Sequence, residues 1–597
     1  MSSYFRRLVL VAFLCVSAGF PAFAQEQAST LPISVPDAIV LLRVKNINHA
    51  AQTLIDTAAS FNPMFAPTVQ QGIDEMKREL AGVNLDAPAA LLILGADKEP
   101  LGIFTLSDPQ AFEQNEQATA ALKALGNLGF ICDDAETVDS AIAAFKEKGI
   151  TAIPTADMKD MLVMDANMSE LMAKFKPEIT AGIETARMAI AGADGAGADA
   201  LTETQGMTLR ALNHLEKLVD EIERQGGPMQ MGLSFNPHEA AVNLDMSVTP
   251  GSAAAQLFSE NSMPVNLTLA KYLPQDVYWS TIQSFAPESQ ARVMNWLVDM
   301  AADVFMLDAA EADAMHKAVA TQAAALTGLN GSAEIADANG AKTSIMIFGI
   351  TSRDAARESV KGFIELTKNG KLGKLAEEYG FTVNFFERHR DSDGIPVDKI
   401  EISIDFNKIA DAFAVPAEQR EFFIRAMSDA IRKTYGTDNT IVMEIAYGKK
   451  LATLVHGADV ETHMDKQVAL LKSGSGGLLD MAEYKQAIAN QQEKASALMH
   501  FSLFRFNDVL AGMLADQGMM MGPMQMLPTR AELPPVDQPM SMGVVFSENK
   551  MSMKFHVPMQ PIRDYVNIVQ RKMMQMMQQM MPPGGMPPMP ADELDDF

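Results

Sequence analysis

The sequence predicts an α+β protein of two related tandem lobes, each an antiparallel-rich sheet with packed helices. Three observations point there. Runs of alternating apolar and polar residues come as hairpins more often than as strand-helix-strand crossovers. One of these hairpins is written twice, opening as PMQMGLSF from Pro228 to Phe235 and as PMSMGVVF from Pro539 to Phe546. Weaker pairs of matching segments then follow the same order along both halves of the chain, which is how an internal repeat shows itself.

Taken from the first residue, Arg6 and Arg7 precede an apolar run from Leu8 to Phe20, followed by Ala22-Phe23-Ala24 and Gln25. A short apolar run ending in an A-x-A site predicts a secretory signal peptide over residues 1–24, cleaved after Ala24, and hence a periplasmic or secreted protein. The run is too short for a permanent span, and nothing after it approaches the roughly 18 consecutive apolar residues that a membrane helix needs. No integral membrane segment is therefore expected after cleavage. Cleavage also removes Cys15 and leaves Cys132 alone, so no intrachain disulfide can form and stability must come from burial. With 48% hydrophobic residues in a chain of 597, there is material for more than one core.

Lobe one is expected over residues 25–262 and lobe two over 263–581, with a disordered Pro-rich and acidic tail over 582–597. The repeated hairpin extends without a gap from Pro228 to Pro250 and from Pro539 to Pro561, identical at six of 23 positions. Identity that low carries little alone, so order has to supply the check. VPDAIVLLRV near Pro36 matches LPQDVYWSTI near Pro274, and GFICDDAETVDSAI matches ATLVHGADVETHMD around His456. MLVMDANMSEL from Met161 and FSLFRFNDVL from Phe501 share a strand-to-helix pattern. The second lobe carries extra material, including the hairpin TVNFFERHRDSDGIPVDKIEISI. AGADGAGADA, from Ala191 to Ala200, reads as a helix connection and KSGSGG, from Lys472 to Gly477, as a loop.

A signal peptide, the PDA strand at Pro36, paired lobes and a Met- and Pro-rich end together resemble a group of exported tandem-lobe proteins of planctomycete-type and other outer-membrane-bearing bacteria. The resemblance implies export and a duplicated α+β body. It brings no active residues to transfer.

Methionine is the strongest local oddity: 19 of the chain's 43 lie between Met513 and Met589. At helical spacing Met573, Met574, Met576, Met577, Met580 and Met581 share one arc, with Gln575, Gln578, Gln579, Arg571 and Lys572 opposite. Three readings of that arc stand side by side. It packs on lobe two, it binds an apolar ligand or a protein partner through adaptable thioethers, or it holds Cu(I), for which thioethers are soft ligands.

Elsewhere the chemistry-bearing residues are sparse. His456 and His463, with Asp459 and Glu461 between them, sketch a metal site, but His456 more simply ends a strand and Asp459 caps the next helix. No HExxH or zinc-like spacing occurs, so no metal is expected. Cys132 lies on an apolar strand and reads as an inert buried thiol. RDSDG at Arg390 to Gly394 begins like a calcium loop but lacks its later ligands, and a hairpin turn accounts for it. There is no GxSxG and no P-loop. The net charge of −27 opposes binding to nucleic acid.

The expectation is an exported, non-catalytic binding or scaffold protein without a cofactor, holding an apolar ligand or protein partner between duplicated lobes. A Met-rich periplasmic copper-handling protein and a hydrolase with a dispersed active site are the alternatives.

Overall fold

The computed structural model describes residues 38–580, apart from 62, 64, 95–98, 116–119, 193–202, 337–340, 414, 493, 517–526 and 535–537. The expected signal peptide, Met581, the tail and nearly all of the Ala191 to Ala200 connection lie outside the described residues.

The chain builds an α+β fold around one antiparallel sheet of 18 strands. The first half contributes β1 (Val40–Val44), β2 (Ala89–Ile93), β3 (Leu101–Thr105), β4 (Ala121–Leu125), β5 (Leu128–Cys132), β6 (Leu162–Asn167), β7 (Gly226–Phe235) and β8 (Glu239–Val248). The second contributes β9 (Trp279–Ser284), β10 (Leu326–Ala336), β11 (Lys342–Ile350), β12 (Phe381–Ser392), β13 (Ile395–Ile404) and β14 (Thr440–Tyr447). It continues with β15 (Leu451–Gly457), β16 (Ala497–Phe501), β17 (Met540–Ser547) and β18 (Lys550–Pro558).

The two halves join edge to edge through β8 and β18, nine residues of each in register from Glu239↔Pro558 to Ser247↔Lys550. Outward from that ladder the first half runs β8, β7, β6, β1, β2, β3, β5, β4. The second half runs β18, β17, β16, β9, β10, β11, β15, β14 and then adds β13 and β12 at its outer edge. The sheet passes unbroken from the residues before 262 to those after it. The extra hairpin read from the sequence is β12–β13, and its turn at Asp393 and Gly394 has φ of 48° and 77°, the left-handed pair that a two-residue hairpin requires.

Alternation gives the sheet two faces. On one, Leu41, Leu92, Ile103 and Phe130 are buried under helix Ala135–Lys148, with Val138 and Phe145. Ile282, Ile345, Ile347 and Val455 are buried on the same face under helix Val460–Ser473. Arg43 points to this side, hereafter the Arg43 face. Helix Ala135–Lys148 starts where Asp134 accepts from the amides of Glu136 and Thr137 and stops at Gly149, φ 65°. Its counterpart stops at Gly474 in the same way, but Asp459 at its start has φ 54° and makes no capping bond, which corrects the expected cap. The left-handed backbone there turns the carboxylate away from the first-turn amides.

The opposite side, the Met231 face, carries the longer helices. Helices Met168–Gly192 and Glu203–Gln225 close over Met229 of β7 with Met168, Leu171, Met172, Val219 and Ile222. Helix Glu203–Gln225 leads into β7 and touches helix Pro287–Val304, which follows β9. There Arg210 Nε donates to the Val304 carbonyl (3.2 Å) and His214 Nε2 lies 2.8 Å from Asp303 Oδ2. Four strands separate β7 from β9, so these helices together span the middle of the sheet. No helix among the described residues is long and apolar enough to cross a membrane.

Candidate binding site at the junction of the halves

The middle of the sheet has two unlike surfaces. On the Met231 face the paired positions across β6, β7, β8, β18 and β17 read Ala166, Met229, Met246, Met551, Phe546 in one row and Met164, Met231, Leu244, Met553, Val544 in the next. A third row reads Leu162, Leu233, Val242, Phe555, Met542 and continues onto β16 at Met499. These rows contain no polar side chain. Met231, Leu244 and Met553 are buried, with Met164, Met229, Met542 and Met551 packed around them, while most of the remaining row residues are only half-buried. At about 4.8 Å per strand the apolar surface is roughly 24 Å across. Helix Ala253–Glu260 covers part of it through Phe258, whose ring lies 5.3 Å from that of Phe546.

The reverse surface of the same strands is polar. Arg43, with no exposed surface, donates to Asp165 Oδ2 (2.8 Å), to both oxygens of Asp157 (2.7 and 2.6 Å) and to the Pro154 carbonyl (2.9 Å). Those bonds from Arg43 hold the Asp157 carboxyl below the usual carboxylate range against the opposing effect of burial. Asp160 accepts from Ser234 (2.7 Å) and Asn243 (2.9 Å) and presses on Gly232, where an added Cβ would meet Asp160 Oδ2 at 1.9 Å. Burial pushes the Asp245 carboxyl up, but donors on Ser552 and Lys550 outweigh it and leave it below the usual range.

At the Glu239 end of the β8–β18 ladder this polar surface opens into a cleft of about 210 Å³, to which both halves contribute. His238 and Glu239 come from the first half. His556, Pro558 and part of helix Ala482–Ala489 come from the second.

The described methionines singled out from the sequence are carried by the helix that follows β18 directly. Helix Met559–Met580 is anchored by Ile568, which packs with Phe504 and Leu533. Lys572 adds an ion pair with Glu532 at 2.7 Å and a bond to the Leu527 carbonyl at 2.8 Å. Beyond that anchor Met573 and Met577 are 40% and 45% exposed, and Met574 and Met576 are half-buried. At helical spacing the two exposed methionines are the middle of the arc and the two half-buried ones its flanks. Met580 ends the helix.

Among the described residues, His456 and His463 belong to no group of three or more potential metal ligands. His389, Glu444 and Glu461 form one, with ligand atoms all within 4.8 Å of one another. Both oxygens of the fully buried Glu444 accept from Arg390 (2.8 and 2.7 Å), so a guanidinium already fills the position a cation would take. His389 reaches this spot through a bulge in which Glu387, Arg388 and His389 interrupt the register between Phe386 and Arg390, with Arg388 at φ 50°. A bulge of that kind leaves no periodic signal in sequence. Cys132 is buried, forms no disulfide and donates to the Glu99 carbonyl at 3.7 Å, its thiol pushed up by burial.

Neither a protein family, a curated protein nor a solved structure matches this chain.

Proposed function

We propose that the chain is an exported, non-catalytic binding protein made of two duplicated halves, and that it holds an extended apolar ligand on the Met231 face where the halves join. The observation that carries this reading is the run of apolar rows across six strands, half-buried and rich in methionine. Unbranched thioether side chains adapt to ligands of variable shape. The strands beneath are all interior ones, so their backbone groups are already paired and offer no edge to an added peptide strand. That favours an acyl-like or other extended apolar molecule, each buried methylene of which contributes about 0.8 kcal/mol. The mirrored strand order about β8–β18 supports the duplication.

The test is native mass spectrometry of the mature protein purified gently from its own compartment. A reproducible organic mass excess that disappears in Met542→Glu/Met551→Glu supports the reading. A bare polypeptide mass, with no uptake of an apolar fluorescent probe by the unaltered protein, overturns it. The packed thioethers of Met164, Met229, Met231, Met542, Met551 and Met553 favour Cu(I) as the second reading, which the same spectrum identifies as an excess of copper mass alone.

A further inference from the structure

We infer a second binding site, on the Arg43 face in the cleft at the Glu239 end of the β8–β18 ladder, for a small organic cation bearing N–H donors, a primary ammonium or a guanidinium. The cleft measures about 210 Å³, below the roughly 300–1,000 Å³ of sites that enclose drug-sized ligands. It suits one compact head group.

Its chemistry follows from His556, which lines the cleft and is only 7% exposed. The ring Nε2 lies 3.1 Å from Glu239 Oε2. An ionised carboxylate only accepts, so Nε2 carries the proton, and in the neutral ring Nδ1 is left as an acceptor. That Nδ1 is buried and has no partner among the described residues. Buried polar atoms are rarely left in that state, and a donor on a ligand in the cleft that His556 lines would complete it.

Charge agrees with this. Among the described residues two carboxylates, Glu239 and Glu483, line the cleft and no lysine or arginine does. Lys554, farther along β18, is bonded to the Asn490 carbonyl at 2.7 Å. Gln486 and Asn490 add amide acceptors along the wall. A bare metal ion fits less well, because among the described residues the acid and histidine group with ligand atoms within 4.8 Å of one another is His389, Glu444 and Glu461, not this one. The opposite end of the ladder gives a contrast. There Lys550 and Asp245 satisfy each other at 2.9 Å.

Isothermal titration of the full mature protein with methylguanidinium and with putrescine tests the site. Saturable binding below about 10 mM is expected, and Glu239→Gln/Glu483→Gln should weaken it by about tenfold or more, since each charge-assisted bond lost is worth about a factor of ten. Both substitutions are nearly isosteric, and a thermal melt establishes that the variant is folded. His556→Phe, which removes the unpaired acceptor, should weaken both probes as well. Absence of binding by either probe, or an affinity unchanged in the Glu239→Gln/Glu483→Gln variant, overturns the proposal. Loss of the apolar ligand in the Met542→Glu/Met551→Glu variant should leave this titration as it was.

Discussion

Asn243 and Lys554 stand directly opposite each other in the β8–β18 ladder, and they also hold corresponding places in the two matching hairpins, 311 residues apart. An antiparallel pair centred on two corresponding residues is a local two-fold axis. It follows that Glu239 corresponds to Lys550 and His556 to Asp245. The contact between Glu239 and His556 at one end and that between Lys550 and Asp245 at the other are therefore the same contact, rewritten with different charges.

That axis makes the junction behave like an isologous dimer interface held in one chain. Residues 25–262 and 263–597, co-expressed as separate chains, should assemble one to one, and the first half alone should self-pair through β8 about Asn243. Native mass spectrometry or sedimentation reads the outcome directly. Two halves that fold and stay monomeric when mixed would remove the support for the duplicated reading.

Arg43 offers a test of what the polar surface contributes. Register places Ile282 of β9 where β1 has Arg43, since each lies opposite the residue that faces Gly543 or Gly232. The second half thus fills with an apolar side chain what the first half fills with a buried cation. Arg43→Met leaves Asp165, 6% exposed, without its cation and should cost about 3–5 kcal/mol in urea unfolding. Adding Asp165→Asn should restore most of the loss, because the charge left unpaired is what destabilises. A cost below about 1 kcal/mol for the single change would place Arg43 among weakly contributing pairs.

His500 should make stability depend on pH well above the carboxylate range. It is 5% exposed under the Tyr484 ring, 5.3 Å away, and burial, aided by Arg505, pushes it down to about 4. Because the unfolded chain takes up this proton near pH 6.5 and the folded chain only near pH 4, acid favours unfolding. The contribution is whole above about pH 6.5 and declines to its loss near pH 4, by about 3 kcal/mol in all. Denaturation of His500→Gln should show a flatter profile over that window. An unchanged slope would mean that His500 titrates normally.

Much of the architecture was legible in the sequence, and the reason is local. Alternation in Pro228 to Val248 and Pro539 to Pro558 marks four strands wherever they end up, and the turn at Asp393 and Gly394 marks the hairpin that the second half adds. What joins β8 to β18 is not local: two polar-and-apolar strands of similar pattern say nothing of which edge meets which. The methionine surface was hidden for a related reason. Met229, Met231, Met246, Met551 and Met553 each read as an ordinary half-buried strand position, and only the ladders set them in rows. The run at Met573 to Met577 is conspicuous because helical spacing is visible in one dimension. The cleft beside His556 collects residues from four separate stretches of chain, which no spacing rule connects.

The bulge at Glu387, Arg388 and His389 bears on how the molecule meets others of its kind. Among the described residues the sheet ends in two edges with no further strand paired to them, and a flat, regular edge is a template on which further chains stack. On one side that edge is β12, whose ladder to β13 breaks between Phe386 and Arg390, with charged side chains crowded at the break. A second molecule laid along it would find amides out of step and would have to strip water from Glu387 and Arg388. The kink therefore works as a terminator, keeping a sheet already 18 strands wide from growing into a fibre.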